Sequence, residues 1–134
     1  MASKSDYLEN KVLDHCLGKA AFTMPAAVYL ALCTVVPTDA STGSTLTEAT
    51  YTGYARKQVL ATDLNAASGG SSSNGAAITF AACTAGSSTI IGFALCDALT
   101  LGNVLYWGTV TSKVIDTSNT PPTVAIGALV VTED

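Results

Sequence analysis

The stretch PAAVYLALC, residues 25–33, decides the fold class of this chain. After its proline the apolar pattern changes from a helical period to strict alternation, with Val28, Leu30 and Leu32 on one face. The opposite face carries Tyr29, Ala31 and Cys33. Because both faces are apolar, we expect a strand that is well buried in the folded protein.

Other short segments rich in β-branched or aromatic residues bring the total to six or seven predicted strands. Polar connections separate them, at residues 36–53, 65–75 and 119–122. Short strands separated by such turn residues are typical of an all-β fold, an antiparallel β-sandwich or jelly roll. The further strand segments are 54–61, 76–81, 89–96, 103–111, 112–116 and 124–132.

The N-terminal segment, residues 1–20, predicts a short α-helix that forms an arm on this body. Asp6 and Glu9 have the spacing of an N-terminal capping pattern, and Gly18 supplies a stop. Apolar side chains recur every four residues and form one stripe, which should pack on the sheet or on a neighbouring subunit. The stripe consists of Leu8, Val12 and Cys16.

The composition of the 134 residues predicts one β-sandwich domain, residues 1–134, with a thin core. Hydrophobic residues make up 49% and charged residues 12%, but alanine inflates the first figure. Three Phe, five Tyr and one Trp provide little large apolar surface to bury. A thin core favours stabilisation by other copies, so we expect a homo-oligomer.

Charge and hydropathy argue against nucleic acid and membrane as partners. The net charge is −4 and no basic run is present, so counterion release has no source. The apolar run 20–36 is interrupted by Thr23, Pro25 and Thr34, and it is shorter than the roughly 20 residues of a membrane span. We also expect no export signal, because acidic residues precede that run.

The cysteines predict buried thiols more readily than a metal site. Cys16, Cys33, Cys83 and Cys96 form no CxxC pair, and the chain has one histidine to share a metal. Free cysteine behaves as a small apolar residue, and three of the four lie in apolar stretches. Disulfides within the chain or between copies stay open as an alternative.

No residue pattern predicts catalysis or cofactor binding. His15 is the sole histidine and lies on the predicted helix without a triad, while the serines lack the Gly-x-Ser-x-Gly frame of an exposed nucleophile. Phosphate-binding glycine motifs are also missing. We therefore expect a non-enzymatic protein with no catalytic, cofactor-binding or metal-binding residues.

Four aromatic residues leave one binding alternative open. Tyr51, Tyr54, Tyr106 and Trp107 would suit a sugar-binding platform on a sandwich face. The same residues also suit core and cross-strand packing. Packing is the favoured interpretation, and a host-glycan-binding module is the alternative.

The order of several segments along the chain resembles small bacteriophage virion structural proteins, the head decoration (cement) or tail-fibre-associated proteins. Each segment alone is a common strand or turn, but their order covers nearly the whole chain. The segments are YLENKVLDH (7–15), PAAVYLAL (25–32), GYAR (53–56), SNGAAITF (73–80), IGFALCDA (91–98), GNVLYWG (102–108) and IGAL (126–129).

The resemblance implies a virion protein assembled in the host cytoplasm. An amphipathic helix and a Gly/Ser loop that could dock across a joint between shell subunits favour capsid decoration on the head surface, between subunits of the major capsid protein, with a trimer as the favoured oligomer. The alternative is a tail, neck or fibre-associated protein that contacts other virion proteins. The predicted interface combines the helix stripe Leu8, Val12 and Cys16 with Ser71, Ser72, Ser73 and Asn74 of the polar loop.

Overall fold

The computed structural model describes residues 2–133 and consists mainly of β-strands with one short α-helix. The prediction of an all-β fold with an N-terminal helix is confirmed. In chain order the elements are β1 (Ala2–Lys4), α1 (Asp6–Cys16), β2 (Val28–Cys33), β3 (Lys57–Val59), a 3₁₀ turn (Ala61–Asp63), β4 (Ser71–Ser73), β5 (Ile78–Thr79), β6 (Ser88–Cys96), β7 (Val104–Ile115), β8 (Thr123–Val124) and β9 (Val130–Thr132).

Seven strands form one curled sheet in the order β3-β2-β6-β7-β1-β9-β4, and β5 pairs with β8 in a small second sheet. The pairs are antiparallel except β1 with β9, which is parallel, so the large sheet is mixed. Leu64, in the segment after β3, forms an isolated bridge with Asn74, which directly follows β4. This bridge brings the two edges of the sheet towards each other.

Several predicted strands have different limits in the structure. Residues 103–111 and 112–116 form the single long strand β7, while 124–132 divides into β8 and β9. The division falls at a turn where Gly127 has a φ of 74°, a conformation that interrupts an extended strand. The predicted strands 54–61 and 76–81 shorten to β3 and β5.

Two strands lie where no strand was predicted. β1 belongs to the segment predicted as a helical arm, residues 1–20, and it lies inside the large sheet between β7 and β9. β4 lies in the polar connection 65–75 and pairs with β9 at the sheet edge. The sequences Ala-Ser-Lys and Ser-Ser-Ser carry no apolar alternation, so backbone pairing alone reveals them.

Apolar side chains fill both faces of the central strands, as the alternation in β2 predicts. Leu30 and Leu32 join the main core cluster with Phe93 and Leu95 of β6. The residues between them face a smaller second cluster, which consists of Ala31, Cys33, Ala94, Cys96 and Val104. Leu46, in the segment after β2, and Trp107 of β7 pack against the second cluster.

The predicted helix is confirmed, and its N-cap is Ser5. The Ser5 side chain accepts a hydrogen bond from the Leu8 amide at 3.3 Å and donates one to the carbonyl oxygen of Val104. Asp6 and Glu9, the residues of the predicted capping pattern, lie in the first turn, where acidic side chains favour the helix dipole. Ser5 is fully buried, so the helix begins directly against β7.

Candidate functional site

A buried arginine holds the turn between β6 and β7, residues 97–103, which we call the tip loop. The Arg56 side chain is 3% exposed and donates to the carbonyl oxygens of Ala98 and Leu101, both at 2.9 Å. It donates also to Gly43 O at 2.8 Å. One guanidinium therefore joins the tip loop to the segment that follows β2.

Glu48 completes this network by neutralising the arginine. It accepts from Arg56 Nη2 at 2.7 Å and Nε at 3.0 Å, and from the Tyr54 hydroxyl at 2.6 Å. Burial lowers the pKa of Arg56, but the hydrogen bond to Glu48 and the charges of the groups around the guanidinium together outweigh this effect, so the pKa is raised. The pKa of Tyr54 is raised by burial and by its bond to Glu48, so both groups keep their protons at neutral pH.

The backbone of the tip loop is also held by hydrogen bonds within the loop and by close contact with Gly43. Asp97 accepts from the amide of Asn103 at 2.7 Å and from its side chain at 2.8 Å. A Cβ atom at Gly43 would lie 1.8 Å from the Leu101 carbonyl oxygen, so only glycine fits there. Leu101 has a φ of 55°, which is unusual for a bulky residue and indicates local strain.

This rigid loop presents two leucines to solvent. Leu99 is 49% exposed and Leu101 is 65% exposed. Exposed apolar residues are common on protein surfaces, but these two are held by a buried ion pair and a strained backbone. A preorganised apolar projection of this kind suits contact with another protein, because little conformational freedom is lost on binding.

Asn74, predicted as an interface residue, is fully buried and holds the C-terminal part of the fold together. Its side-chain nitrogen donates to the carbonyl oxygens of Ala76 and Ala125, both at 2.8 Å, and its side-chain oxygen accepts from the Leu129 amide at 2.9 Å. These three bonds satisfy the amide group. Asn74 is therefore not accessible to a partner in this folded chain.

The other predicted loop residues, Ser71, Ser72 and Ser73, form β4 and are half-buried. Ser72 donates from its hydroxyl to Asn65 O at 2.9 Å, and the Ser73 hydroxyl accepts from the Asn65 side chain at 3.1 Å. β4 is the edge strand of the large sheet. The chain covers the outer edge of β4 itself, because the Asn65 amide donates to Ser73 O at 2.8 Å and the Ser68 amide donates to Ser71 O at 2.9 Å. The interface prediction for these serines stays a prediction.

The exposure of the predicted helix stripe increases from its first residue to its last. Leu8 is 4% exposed and packs inside the protein, Val12 is half-buried, and Cys16 is exposed. Leu13, at 56% exposed, and Leu17, at 73% exposed, also face solvent. The structure thus brings Leu8 to the chain's own core and leaves the end of the helix available for another surface.

The segment after the helix, residues 17–27, which we call the tether, lies on the surface. None of its residues is fully buried, and Met24 is 85% exposed. The amide of Phe22 donates to His15 Nδ1 at 3.0 Å, which ties the start of the tether back to the helix. Within residues 2–133, no residue from 9 to 27 hydrogen-bonds to the body that begins at Val28.

An ion pair links the two ends of the described chain. Lys4 Nζ lies 2.6 Å from Glu133 Oε2, and the Tyr106 hydroxyl donates to the other carboxylate oxygen. Burial raises the pKa of Glu133, but these donors outweigh it and the pKa is lowered. The pKa of Tyr106 is raised by burial and by the same bond.

An apolar cleft of about 210 Å³ opens on the concave side of the curled sheet. Leu64, Leu95, Leu105 and Val131 contribute to its walls, with Tyr106 at one side. The residues that line it are overwhelmingly apolar, with hydroxyls from the serines of β4. The cleft offers no cluster of titratable groups for chemistry on a bound molecule.

The four cysteines are free thiols in this structure. Cys33, Cys83 and Cys96 are buried, as predicted for apolar stretches, and Cys16 is exposed. Burial raises the pKa of the Cys33 thiol to about 12 and that of the Cys96 thiol to about 11. Such thiols stay protonated at neutral pH and are poor nucleophiles.

The aromatic residues pack as predicted and do not form one platform. Tyr51 and Tyr54 meet edge to face with ring centres 5.6 Å apart, and Tyr54 stacks on Phe80 at 6.4 Å. Tyr106 joins the main core cluster, whereas Trp107 lies against the second cluster and donates to Asp39 at 3.1 Å. The residues proposed for a sugar platform are therefore divided between the two faces of the sheet.

Neither a metal site nor a membrane-spanning helix occurs in the described part of the chain. Residues 2–133 contain no group of three or more side chains from His, Cys, Asp and Glu placed to hold a metal ion. Within the same range no helix has both the length and the apolar character needed to cross a bilayer.

Arg56 is the residue that sequence reasoning missed. Its carbonyl partners Ala98 and Leu101 lie 42 and 45 residues away along the chain. The one local signal is Glu48, eight residues before it, because a sparse charge pair in a chain with 12% charged residues is a candidate for burial.

One protein family matches this chain over almost its entire length. Its description is Gp80: Podophage GP4 fiber I protein gp80, and the match covers residues 3–132. The matched range begins within β1 and includes every later element through β9, and with them the tip loop, the tether and the cleft. No curated protein matches the chain.

Proposed function

The chain belongs to the family of podophage GP4 fiber I protein gp80, and we propose on this basis that it is a non-enzymatic subunit of the bacteriophage tail-fibre apparatus. Membership confirms the resemblance to small phage virion structural proteins. It implies a location in the virion and association with other virion proteins. The capsid decoration function, predicted first, has no support from this family, and the fibre-associated alternative has.

The tip loop is the surface that we assign to contact with the other virion protein. Arg56, Glu48 and the glycine at position 43 fix its backbone, so Leu99 and Leu101 are offered in one conformation. Apolar anchors that are rigid before binding contribute more to affinity than mobile ones. The partner chemistry that fits is an apolar pocket on a neighbouring virion protein.

Absence of catalysis is part of this proposal. The thiols of Cys33 and Cys96 are held protonated by burial, and the ring nitrogen Nδ1 of His15 already accepts a backbone hydrogen bond. A nucleophile needs a base within hydrogen-bond reach, and these groups do not supply such a pair. The buried polar residues stabilise loops instead.

The first test is the location and copy number of the protein on purified particles. Gold-labelled antibody in the electron microscope should mark the tail, and quantitative mass spectrometry should count few copies per particle. Hundreds of copies spread over the head would overturn the fibre proposal and restore capsid decoration.

The tip loop is tested separately with a double substitution, Leu99→Ser with Leu101→Asn. Asparagine tolerates positive φ better than leucine, so this variant should keep the fold while it removes both apolar anchors. We expect its incorporation into particles to fall by about tenfold or more, the loss typical of anchor residues at an interface.

Val110→Ser with Val114→Ser is the matched control. These two valines are 39% and 45% exposed and lie towards the opposite end of β7 from the tip loop. Normal incorporation of this control, together with loss for the tip-loop variant, supports the assignment. Equal incorporation of both variants would show that the tip loop is not the contact.

A further inference from the structure

We infer that the N-terminal segment, residues 2–16, is exchanged between copies of this chain, so that β1 of one copy completes the sheet of another. The anchor of this segment, residues 2–8, fills a seat on the body, and the tether reaches from the helix back to β2. The partner is thus a second copy of the chain. The inference goes beyond the proposed fibre function and does not depend on it.

The first observation is the position of β1 in the sheet. β1 is three residues long, yet it lies between β7 and β9 and connects them. It pairs antiparallel with Tyr106, Trp107 and Gly108 and parallel with Val131. Without β1, the edges of β7 and β9 that face each other would lack a partner, which makes the seat a site for an incoming strand.

The second observation is that the seat holds the anchor through backbone bonds as well as through the buried side chains of Ser5 and Leu8. The side chains of β1 belong to alanine, serine and lysine, which add little apolar burial. The Ser5 amide donates to Leu105 O at 3.0 Å, and the Asp6 amide donates to Asp39 O at 2.9 Å. The seat can therefore accept the same segment from another copy with the same bonds.

The third observation is the separation of the anchor from the body along the chain. Among residues 2–133, those from 9 to 27 make no hydrogen bond to the body, and none of them is fully buried. The 11 residues 17–27 span up to about 36–40 Å when extended. A folded chain of 134 residues has a radius of gyration of about 14 Å, so the tether is long enough to reach a neighbour.

The fourth observation supplies a driving force. Leu13, Leu17 and Met24 are 56%, 73% and 85% exposed, all in the part that connects anchor and body. In an exchanged pair two tethers would run past each other, and we expect these side chains to become buried between the copies. The contacts of the anchor are the same in both forms, so this extra apolar burial favours exchange.

The test traps the anchor in its seat by a disulfide. Lys4 and Glu133 are neighbours across the parallel pair β1–β9, since Ala2 lies opposite Val131. Neighbouring strands have the Cα spacing that a disulfide requires. We therefore place Lys4→Cys with Glu133→Cys in a Cys16→Ser background, which removes the exposed native thiol.

Equal amounts of unlabelled and ¹⁵N-labelled chains of this variant are unfolded together, refolded and oxidised. Exchange predicts that about half of the cross-linked peptide pairs join a light chain to a heavy one, because partners are drawn at random. Cross-links only within light chains and within heavy chains would overturn the inference.

Ser72→Cys with Val131→Cys is the matched control in the same background. Ser72 and Val131 face each other in the pair β4–β9, and both belong to the body. Their cross-link stays within one chain whether or not the anchor is exchanged, so mixed pairs should be rare. Circular dichroism of both variants verifies that they fold.

Native mass spectrometry of the unaltered chain provides a second readout. A closed dimer or larger ring supports exchange, and a monomer at micromolar concentration overturns it. A failed tip-loop experiment leaves this result untouched, because the exchange is measured on the purified protein without particles.

Discussion

The tip loop and the tether both expose large apolar side chains, but the chain holds the two regions in opposite ways. The tip loop is fixed by Arg56, whose guanidinium bonds to three carbonyl oxygens and to Glu48. The tether follows a helix that leaves the body after Leu8, and from residue 9 to residue 27 no described hydrogen bond reaches the body. One surface is fixed by a buried network of hydrogen bonds, and the other has no such network among the described residues.

This difference indicates two kinds of interaction. A rigid apolar projection binds with little loss of conformational entropy, which suits a fixed neighbour in a particle. A long exposed connection permits a segment to reach a second copy, which suits exchange between identical chains. Four stability measurements test whether the two regions differ as much as their contacts indicate.

Removal of the arginine should have the largest effect. Arg56→Met leaves Glu48 without its partner and frees three carbonyl oxygens, so we expect a loss of about 3–5 kcal/mol in the free energy of unfolding. Urea denaturation followed by fluorescence measures it. The exposed neighbour Lys57 gives the control, since Lys57→Met should change stability by no more than about 0.5 kcal/mol.

A loss of stability below about 1 kcal/mol for Arg56→Met would contradict the contrast between a fixed tip loop and a loosely held tether. It would mean that the tip loop is held by its backbone turn and that the buried ion pair adds little.

Truncation of Leu8 should have the next largest effect, and it locates the boundary between anchor and tether. Leu8→Ala removes a side chain that is 4% exposed and should cost about 2–4 kcal/mol. Leu13→Ala, in the same helix but 56% exposed, should cost less than about 0.5 kcal/mol. Thermal and urea unfolding of both variants measures the contrast, and similar losses would place the boundary after the helix instead.

Removal of the buried Asn74 side chain should have the third largest effect on the free energy of unfolding. Asn74→Ala removes three hydrogen bonds and leaves the amide of the buried Leu129 unsatisfied, for an expected cost of about 2–3 kcal/mol. Asn65→Ala, an exposed asparagine in the same region, should cost less than about 1 kcal/mol. Hydrogen exchange should show the loss of protection around Leu129, and unchanged protection there would refute the structural role of Asn74.

The ion pair between Lys4 and Glu133 should contribute least to the free energy of unfolding. It contributes only at pH values at which Glu133 is ionised. The pKa of Glu133 is lower in the folded chain than its ordinary value of about 4.3, so the pair stabilises the fold above that value. This stabilisation disappears as the pH falls through the lowered folded pKa. Because Glu133 is 41% exposed, solvent screening limits the contribution to less than about 1 kcal/mol.

Glu133→Gln measures this contribution through unfolding at pH 7 and at pH 3. The difference from the unaltered chain should be present at pH 7 and smaller at pH 3, and Lys4→Met should reduce the same pH dependence while the Tyr106 hydroxyl still donates to the carboxylate. A difference that grows as the pH falls would contradict the sign worked out here.

The strands that sequence reasoning predicted are those whose side chains alternate. β2 and β6 carry leucines and small residues in strict order, and their faces fill the two core clusters as expected. β1 and β4 escaped prediction because alanine, serine and lysine carry no such pattern. Their place depends on backbone hydrogen bonds, which every residue type other than proline can form.

Sequence patterns could predict only part of the interface, for a related reason. Periodicity placed Leu8 and Cys16 on one stripe, but it contains no information on where the helix leaves the body. Asn74 looked like a loop residue, since asparagine is common in turns. Its burial follows from partners at Ala125 and Leu129, which lie 51 and 55 residues away in the chain.

The sequence by itself determined that this chain forms short strands, polar turns and one capped helix, because those choices depend on side-chain order over a few residues. The tertiary structure alone decided that β1 lies between β7 and β9, and that Lys4 meets a carboxylate 129 residues away. It also decided that one buried arginine fixes the tip loop. Contacts at such separations are selected by the closure of the whole sheet, and local sequence patterns do not encode them.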